Sequence, residues 1–211
     1  MKDLGIKGTV YDIFGYLLPG LLLLFLLKVA YNHSQGEICF CFNVQGDRKI
    51  SGTLTIALLL IVSYCIGHAI SSVSSLLVEK MIVERILFLK KRLDNKNLLS
   101  KRSYSNFEQK YKELYKGEFN DRDFTIVVCH VQQNSPVIYS TAFVFLSFYG
   151  MARNIAFSMT IFLLCEIINY IISCSKAILI VIIISFLFMI AFYYEYYRFK
   201  KYYKTRILSG F

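Results

Sequence analysis

The chain has 211 residues, 56% of them hydrophobic, a mean hydropathy of +0.50 and a formal net charge of +10. That is too apolar for an ordinary soluble domain of this size and points to lipid. Positive charge on so apolar a chain belongs outside the spanning segments, where anionic lipid head groups or RNA can meet it.

The N-terminus resembles a signal peptide, with Lys2 and Lys7 ahead of an apolar run. The residues that follow the run, Lys28, Val29, Ala30 and Tyr31, lack a small-x-small cleavage pattern, so the segment reads as a retained anchor. Crossing the hydrocarbon core takes about 20 mostly apolar residues, and four stretches meet or approach that length. They run from Tyr11 to Tyr31, Leu54 to Leu77, Ile155 to Cys174 and Ala177 to Tyr194. Lipid offers the backbone no hydrogen bonds, so each must be a helix. The fold class is therefore all-α, an integral membrane protein with four transmembrane helices and a helical cytoplasmic region. Residues 1–77 form a first hairpin with an external loop at 32–52, 78–154 a basic cytoplasmic region, and 155–211 a second hairpin with a basic tail.

Lysine and arginine set the orientation. Residues 78–134 carry 12 of them, whereas 32–52 carry only Arg48 and Lys49. The long basic loop is expected in the cytoplasm of a bacterial-type cell, its flanking helices crossing the inner membrane. The tail agrees through Arg198, Lys200, Lys201, Lys204 and Arg206, which places both termini inside. Tyr193, Tyr194, Tyr196 and Tyr197 stand where an interfacial belt is expected.

Beyond the second span, Val78, Ile82, Ile86, Leu89 and Leu93 continue a helical apolar face. Lys80, Glu84, Arg85, Lys91 and Arg92 occupy the other side, with Lys80 and Glu84 four residues apart. Ser105 and Glu108 have capping-box spacing and predict a helix with Phe107, Tyr111 and Leu114 on one face and Gly117 as its stop. These faces pack either on one another or on another subunit. The run from Phe124 to Val131 is β-branched, but a single strand has no sheet to join, so a helix is expected there. Val137 to Ala152 is apolar but short and ends at Arg153 and Asn154. It is expected to begin a long helix capped by Ser135, with Pro136 at its first position, that leads into the third span.

Polar groups inside a span are the default candidates for function. His68, Glu166, Asn169 and Tyr64 are the membrane-embedded set, and Asp12, Arg153 and Asn154 form a set at the inner face, where Asp12 and Arg153 have the geometry for an ion pair. His68 lies roughly 14 Å from the inner end of its helix and Glu166 roughly 12 Å from the outer end of its own, so the two are not expected to meet. Tyr64 comes closer to the depth of Glu166, and Asn169 shares a face with Glu166. Glu166 must be protonated, paired or facing water, and the last would mark a pore. The residues around Arg153 either snorkel to the interface or form a fixed polar clamp. Ser63, Gly67, Ser71 and Ser75 make a stripe of small residues that allows close helix packing, within the chain or between copies.

The six cysteines, Cys39, Cys41, Cys65, Cys129, Cys165 and Cys174, have no paired spacing for zinc or a redox dithiol, though Cys174 would share the outer side with Cys39 and Cys41. No catalytic motif is present, His33 and His130 have no ligand spacing near them, and Arg122 to His130 exceeds the spacing of HEPN ribonucleases. Neither an enzyme, a metal nor a cofactor is expected.

The segment Tyr11, Asp12, Ile13, Phe14, Gly15, Tyr16, Leu17, Leu18, Pro19, Gly20 is similar to the first span of small multi-span bacterial membrane proteins found among antiviral defence genes. The layout of the chain resembles the accessory membrane proteins of type VI-B RNA-targeting CRISPR systems. That resemblance implies a membrane effector or accessory role, one form of which is an oligomeric pore that depolarises infected cells. It carries over no functional residue. The alternatives are a subunit of a small-solute transporter or channel, and a membrane scaffold that recruits a cytoplasmic protein. Four spans without an internal repeat leave little room for alternating access. The expected partners are membrane lipid, further copies of the chain and a cytoplasmic protein. Nucleic acid is disfavoured, because positive-inside topology already accounts for the basic residues and the loop holds eight Asp or Glu.

Overall fold

A computed structural model describes residues 11–36, 52–78 and 98–211, and every element among them is helical. A π-helical turn, Ile13–Leu17, leads into α1 (Leu18–Ser34), followed by α2 (Gly52–Ser74). Then come α3 (Lys101–Tyr115), a 3-10 turn (Asp121–Asp123), α4 (Phe124–Asn134), α5 (Pro136–Ser173) and α6 (Lys176–Gly210). Four helical stretches are long and apolar enough to cross a membrane: Ile13–Ser34, Thr53–Val78, Pro136–Ser173 and Lys176–Gly210. The expected amphipathic continuation through Ile82, Ile86, Leu89 and Leu93, with the Lys80–Glu84 pair, lies outside the described residues.

Pro136 stands in the first turn of α5, where a missing N–H costs least, whereas Pro19 follows directly on the π turn in a run that is already helical, so its missing N–H falls inside the helix. From Pro136 to Ser173 nothing interrupts α5, so the expected boundary at residue 154 falls inside a continuous helix. At 38 and 35 residues, α5 and α6 are about 57 and 53 Å long. They run antiparallel, joined by a tight link in which Cys174 takes the left-handed conformation and its N–H closes on the Tyr170 carbonyl. The Cys174 end is called distal below and the Gly210 end proximal. Cys174 carries a free thiol, and Cys39 and Cys41 lie outside the described residues.

The first helix pairs with both of its neighbours. A Cβ on Gly20 would strike the Ser63 carbonyl, and one on Gly67 would strike the Tyr16 carbonyl, so α1 and α2 run antiparallel in backbone contact. Against α5 the same helix runs parallel: Asn154 bonds to Gly15 and Asn169 to Ala30, with the same sequence separation of 139 in both pairs. Leu26, Val29, Ala30 and Phe162 fill the seam.

At the proximal end α3, α4 and the ends of α5 and α6 enclose a separate core around Phe107, Tyr111, Val127, Val131, Ala142, Ile207 and Phe211. Phe211 sits in a cage of rings, with centroids 5.3 Å from Phe107, 6.0 Å from Tyr111 and 4.6 Å from His130. Lys110 lies over the Phe211 ring at 5.3 Å and its Nζ contacts the Phe211 carbonyl oxygen.

Several local expectations change. Helix α3 starts before Ser105: Ser100 is its N-cap and accepts from the Ser103 N–H, because a serine one turn earlier already meets the open donors. Its left-handed terminal residue is Lys116 rather than Gly117, and Leu114 is half exposed whereas Phe107 and Tyr111 are buried. Phe124–Asn134 is a helix, as expected from the lack of any sheet to join. Ser135 occupies the N-cap position of α5 without capping it, since its hydroxyl donates instead to the Gly210 carbonyl. Of the tyrosine belt, Tyr194 is well exposed, but Tyr196 is buried against Val78 and Ala152.

Candidate functional site

The polar side chains of α5 converge on α1 at two levels. At the distal level Glu166 faces His33, one residue before the end of α1. Nδ1 of His33 is 2.9 Å from Oε1 and 3.0 Å from Oε2, and neither side chain has any exposed surface. One turn further along α5, Nδ2 of Asn169 donates to the Ala30 carbonyl at 2.9 Å. Ala30 and His33 share a face of α1, as Glu166 and Asn169 share a face of α5, so two parallel helices present matched polar pairs. By depth the sequence sets Tyr64 nearer than His68 to Glu166 and gives His33 no ligand spacing; in the structure the residue that meets Glu166 is His33. Tyr64 belongs to α2 and turns away, and Glu166 is sealed rather than facing water.

The second level is built on Asn154, which is 1% exposed. Its Nδ2 donates to the Gly15 carbonyl at 2.7 Å, and its Oδ1 accepts from the Ser74 hydroxyl at 2.6 Å and from Nε of Arg153 at 3.3 Å. Pro19 explains why Gly15 needs this partner. In an α-helix the Gly15 carbonyl would accept from the N–H of residue 19, and proline has none. Arg153 is itself 7% exposed and directs its guanidinium to Ser71, 3.0 Å from the hydroxyl and 3.4 Å from the carbonyl. Among the described residues the Arg153 guanidinium is thus bonded to Ser71 and Asn154. The arrangement joins the π turn, α2 and α5 through four side chains, Asn154, Arg153, Ser71 and Ser74, a geometry that fixes helices.

The small-residue stripe on α2 is divided between the same two contacts. Ser63 and Gly67 meet α1 through backbone, and Ser71 meets Arg153, with its neighbour Ser74 meeting Asn154. Ser75 opens the π-helical stretch 75–78 that continues α2 and is half-buried. His68 is exposed and stacks on Tyr16, centroids 3.8 Å apart at 18°, with Tyr64 edge-on at 4.6 Å. His68 is therefore no partner of Glu166, in agreement with their depths.

Among the described residues no three His, Cys, Asp or Glu side chains converge to hold a metal ion. Set against protein families, characterised proteins and solved structures, the chain matches none of them.

Proposed function

We propose that the chain is a multi-pass protein of a bacterial inner membrane that holds a basic helical module at the cytoplasmic surface, where it acts as an accessory or effector protein through a cytoplasmic protein partner. The observation that carries this reading is the length of α5 and α6. Each exceeds the roughly 30 Å hydrocarbon core by more than 20 Å, and the surplus at the proximal end is enclosed with α3 and α4 in its own core. The distal parts of both helices expose hydrocarbon: Ile171 and Ile172 on α5, and Ile180, Leu187 and Phe188 among others on α6. Such a surface suits lipid and is unsuited to water.

The direction of each helix supports the same topology. An α1–α2 pair that is antiparallel and an α1–α5 pair that is parallel are what alternating crossings require of first, second and third spans. Positive-inside bias then places Lys101, Arg102, Lys112 and Lys116 in the cytoplasm. A role in antiviral defence rests on the resemblance of residues 11–20 together with the layout of the helices. A pore through one chain loses its motive, because the carboxylate that would line it is buried against His33.

Reporter fusions after Gly36 and after Lys112 test the topology, and the two positions should report opposite compartments. A shared compartment rejects the reading. Affinity capture from mild detergent tests the role: a recruiting protein keeps its partner when Glu166 is replaced by Gln and loses it when the basic residues of α3 are neutralised. Membrane depolarisation on overexpression that vanishes in Glu166→Gln would favour the channel alternative instead.

A further inference from the structure

Helix α2 contacts α1 along one side and leaves most of its surface open. Helix α6 is equally open, but what it shows there is hydrocarbon, from Leu179 through Ile190. The open side of α2 differs. Tyr64, Cys65, His68 and Ser72 are all exposed, among Ile61, Val62 and Val73. Positions 61, 65, 68 and 72 recur at helical spacing and Tyr64 adjoins them, so they form one face.

That face lies halfway along the apolar stretch Thr53–Val78, at the depth where an unbonded polar group is least tolerable. The His68 ring is held by Tyr16 and Tyr64, which fix its plane. Among the described residues neither the ring nitrogens of His68 nor the Tyr64 hydroxyl makes a hydrogen bond; the bond that Ser72 makes here goes to the His68 carbonyl. With this topology, and among the described residues alone, an imidazole and a phenol would face lipid.

We propose that the Tyr64–His68 face of α2 is a contact surface for a second copy of the chain. The patch is self-complementary: a neutral imidazole carries one donor and one acceptor, and a phenol carries both. A patch of one charge sign would call for a different partner. All copies insert in the same orientation, so a symmetry axis along the membrane normal brings equal depths together, and His68 and Tyr64 of one chain meet those of the other. Ser63 and Gly67 are already committed to α1, so this interface uses a different side of α2 from the one the small-residue stripe marks. The inference rests on the membrane reading above.

Cys65 on this face supplies the test. The full chain is expressed in bacterial membranes with Cys65 as its only cysteine, and compared with a version in which Cys65 is also removed and Leu187, exposed on α6, becomes cysteine (Leu187→Cys). Copper-phenanthroline oxidation should convert Cys65 to a disulfide-linked species of twice the 24.5 kDa chain mass, well above the Leu187→Cys level. His68→Leu should lower dimer association roughly three- to tenfold, the range for one interhelical polar contact in a membrane. Cross-linking at Cys65 no greater than at Leu187→Cys, in protein that alkaline carbonate leaves in the membrane pellet, overturns the interface alone. Release into the carbonate supernatant overturns the membrane reading and the interface with it. A lipid-soluble ring compound occupying the face would appear as a monomer in the same experiment and counts against the proposal.

Discussion

Glu166 and His33 meet side by side between α5 and α1, Nδ1 to carboxylate at 2.9 and 3.0 Å, with both side chains fully enclosed. Burying a carboxylate costs several kcal/mol unless a partner receives it, and a pair in this geometry offsets much of that cost. The pair does not have to raise net stability to matter. Either residue left alone would be buried without its partner, so the alignment of the two helices depends on the two side chains matching.

Removing one partner should therefore harm the fold more than removing both. Glu166→Ala or His33→Ala is expected to lower stability by about 3–5 kcal/mol, while the double replacement by apolar residues of similar volume recovers most of the loss. Thermal unfolding in mild detergent, run as a double-mutant cycle, checks this. Additive losses would mean that the two side chains do not act on each other.

How far this site was readable in the sequence is instructive. Glu166, Asn169, Arg153 and Asn154 stand out in the sequence because a polar residue in an apolar run is expensive and must have a reason. Their partners do not. Ala30 and Gly15 contribute backbone carbonyls that no side-chain pattern marks, and His33 sits in a stretch that looks like the start of a loop. Depth could have found His33, since it ends a helix parallel to α5 much as Glu166 lies near the distal end of α5. The Gly15 acceptor had a signal too, because a proline inside a helix always frees the carbonyl four residues earlier.

That relation gives a second prediction. Asn154→Ala should cost about 1–3 kcal/mol, because the Gly15 carbonyl and the Ser74 hydroxyl both lose a buried partner. In a Pro19→Ala background the loss should be smaller, since residue 19 then has an N–H to give to Gly15. Denaturation midpoints of the four proteins decide it. Equal losses in both backgrounds would show that Gly15 does not depend on Asn154.

Close backbone approach supplies a third. Gly67→Ala places a methyl group against the Tyr16 carbonyl, which belongs to backbone and cannot swing aside, and should destabilise by about 1–3 kcal/mol or more. Gly15→Ala, in the same bundle, would meet only the Tyr11 ring at 3.7 Å, an ordinary contact, and should be tolerated. The ratio of folded to aggregated protein after mild heating separates them. Matching losses at both positions would remove the close contact between α1 and α2.

The four apolar helices were legible from length and hydropathy, since that signal depends on no tertiary context. The proximal module was legible only in part. Phe107 and Tyr111 show their shared face, but Leu114, placed on the same face by spacing, is left outside because the ring cage closes around Phe211 instead. Nothing in the local pattern of α6 says that Phe211 folds back onto α3. Ser135 fails as a cap for a similar reason: the end of α6 arrives beside it and offers an acceptor.

The ring cage yields the last prediction, which joins packing to pH. Phe211→Ala should cost about 3–5 kcal/mol of the docking of α3, so amide exchange in Lys101–Tyr115 should quicken by roughly two to four powers of ten. Tyr111 lies in the same cage, and burial, with Asp123 beside it, raises its hydroxyl above the ordinary value of 10.0. The neutral phenol is thus the form that the folded module prefers. When the unfolded chain begins to lose this proton near pH 10 the folded one still keeps it, so fewer protons are bound in the unfolded state and stability falls as pH rises. Its contribution is complete below the unfolded value and fades as pH climbs through 10 toward the folded value. Exchange in α3 should accelerate across that window in the native chain, and Tyr111→Phe, which keeps the ring and removes the proton, should flatten the dependence. An unchanged slope in Tyr111→Phe would assign the alkaline loss to other groups, while an unchanged exchange rate in Phe211→Ala would mean that α3 is held by contacts other than the cage.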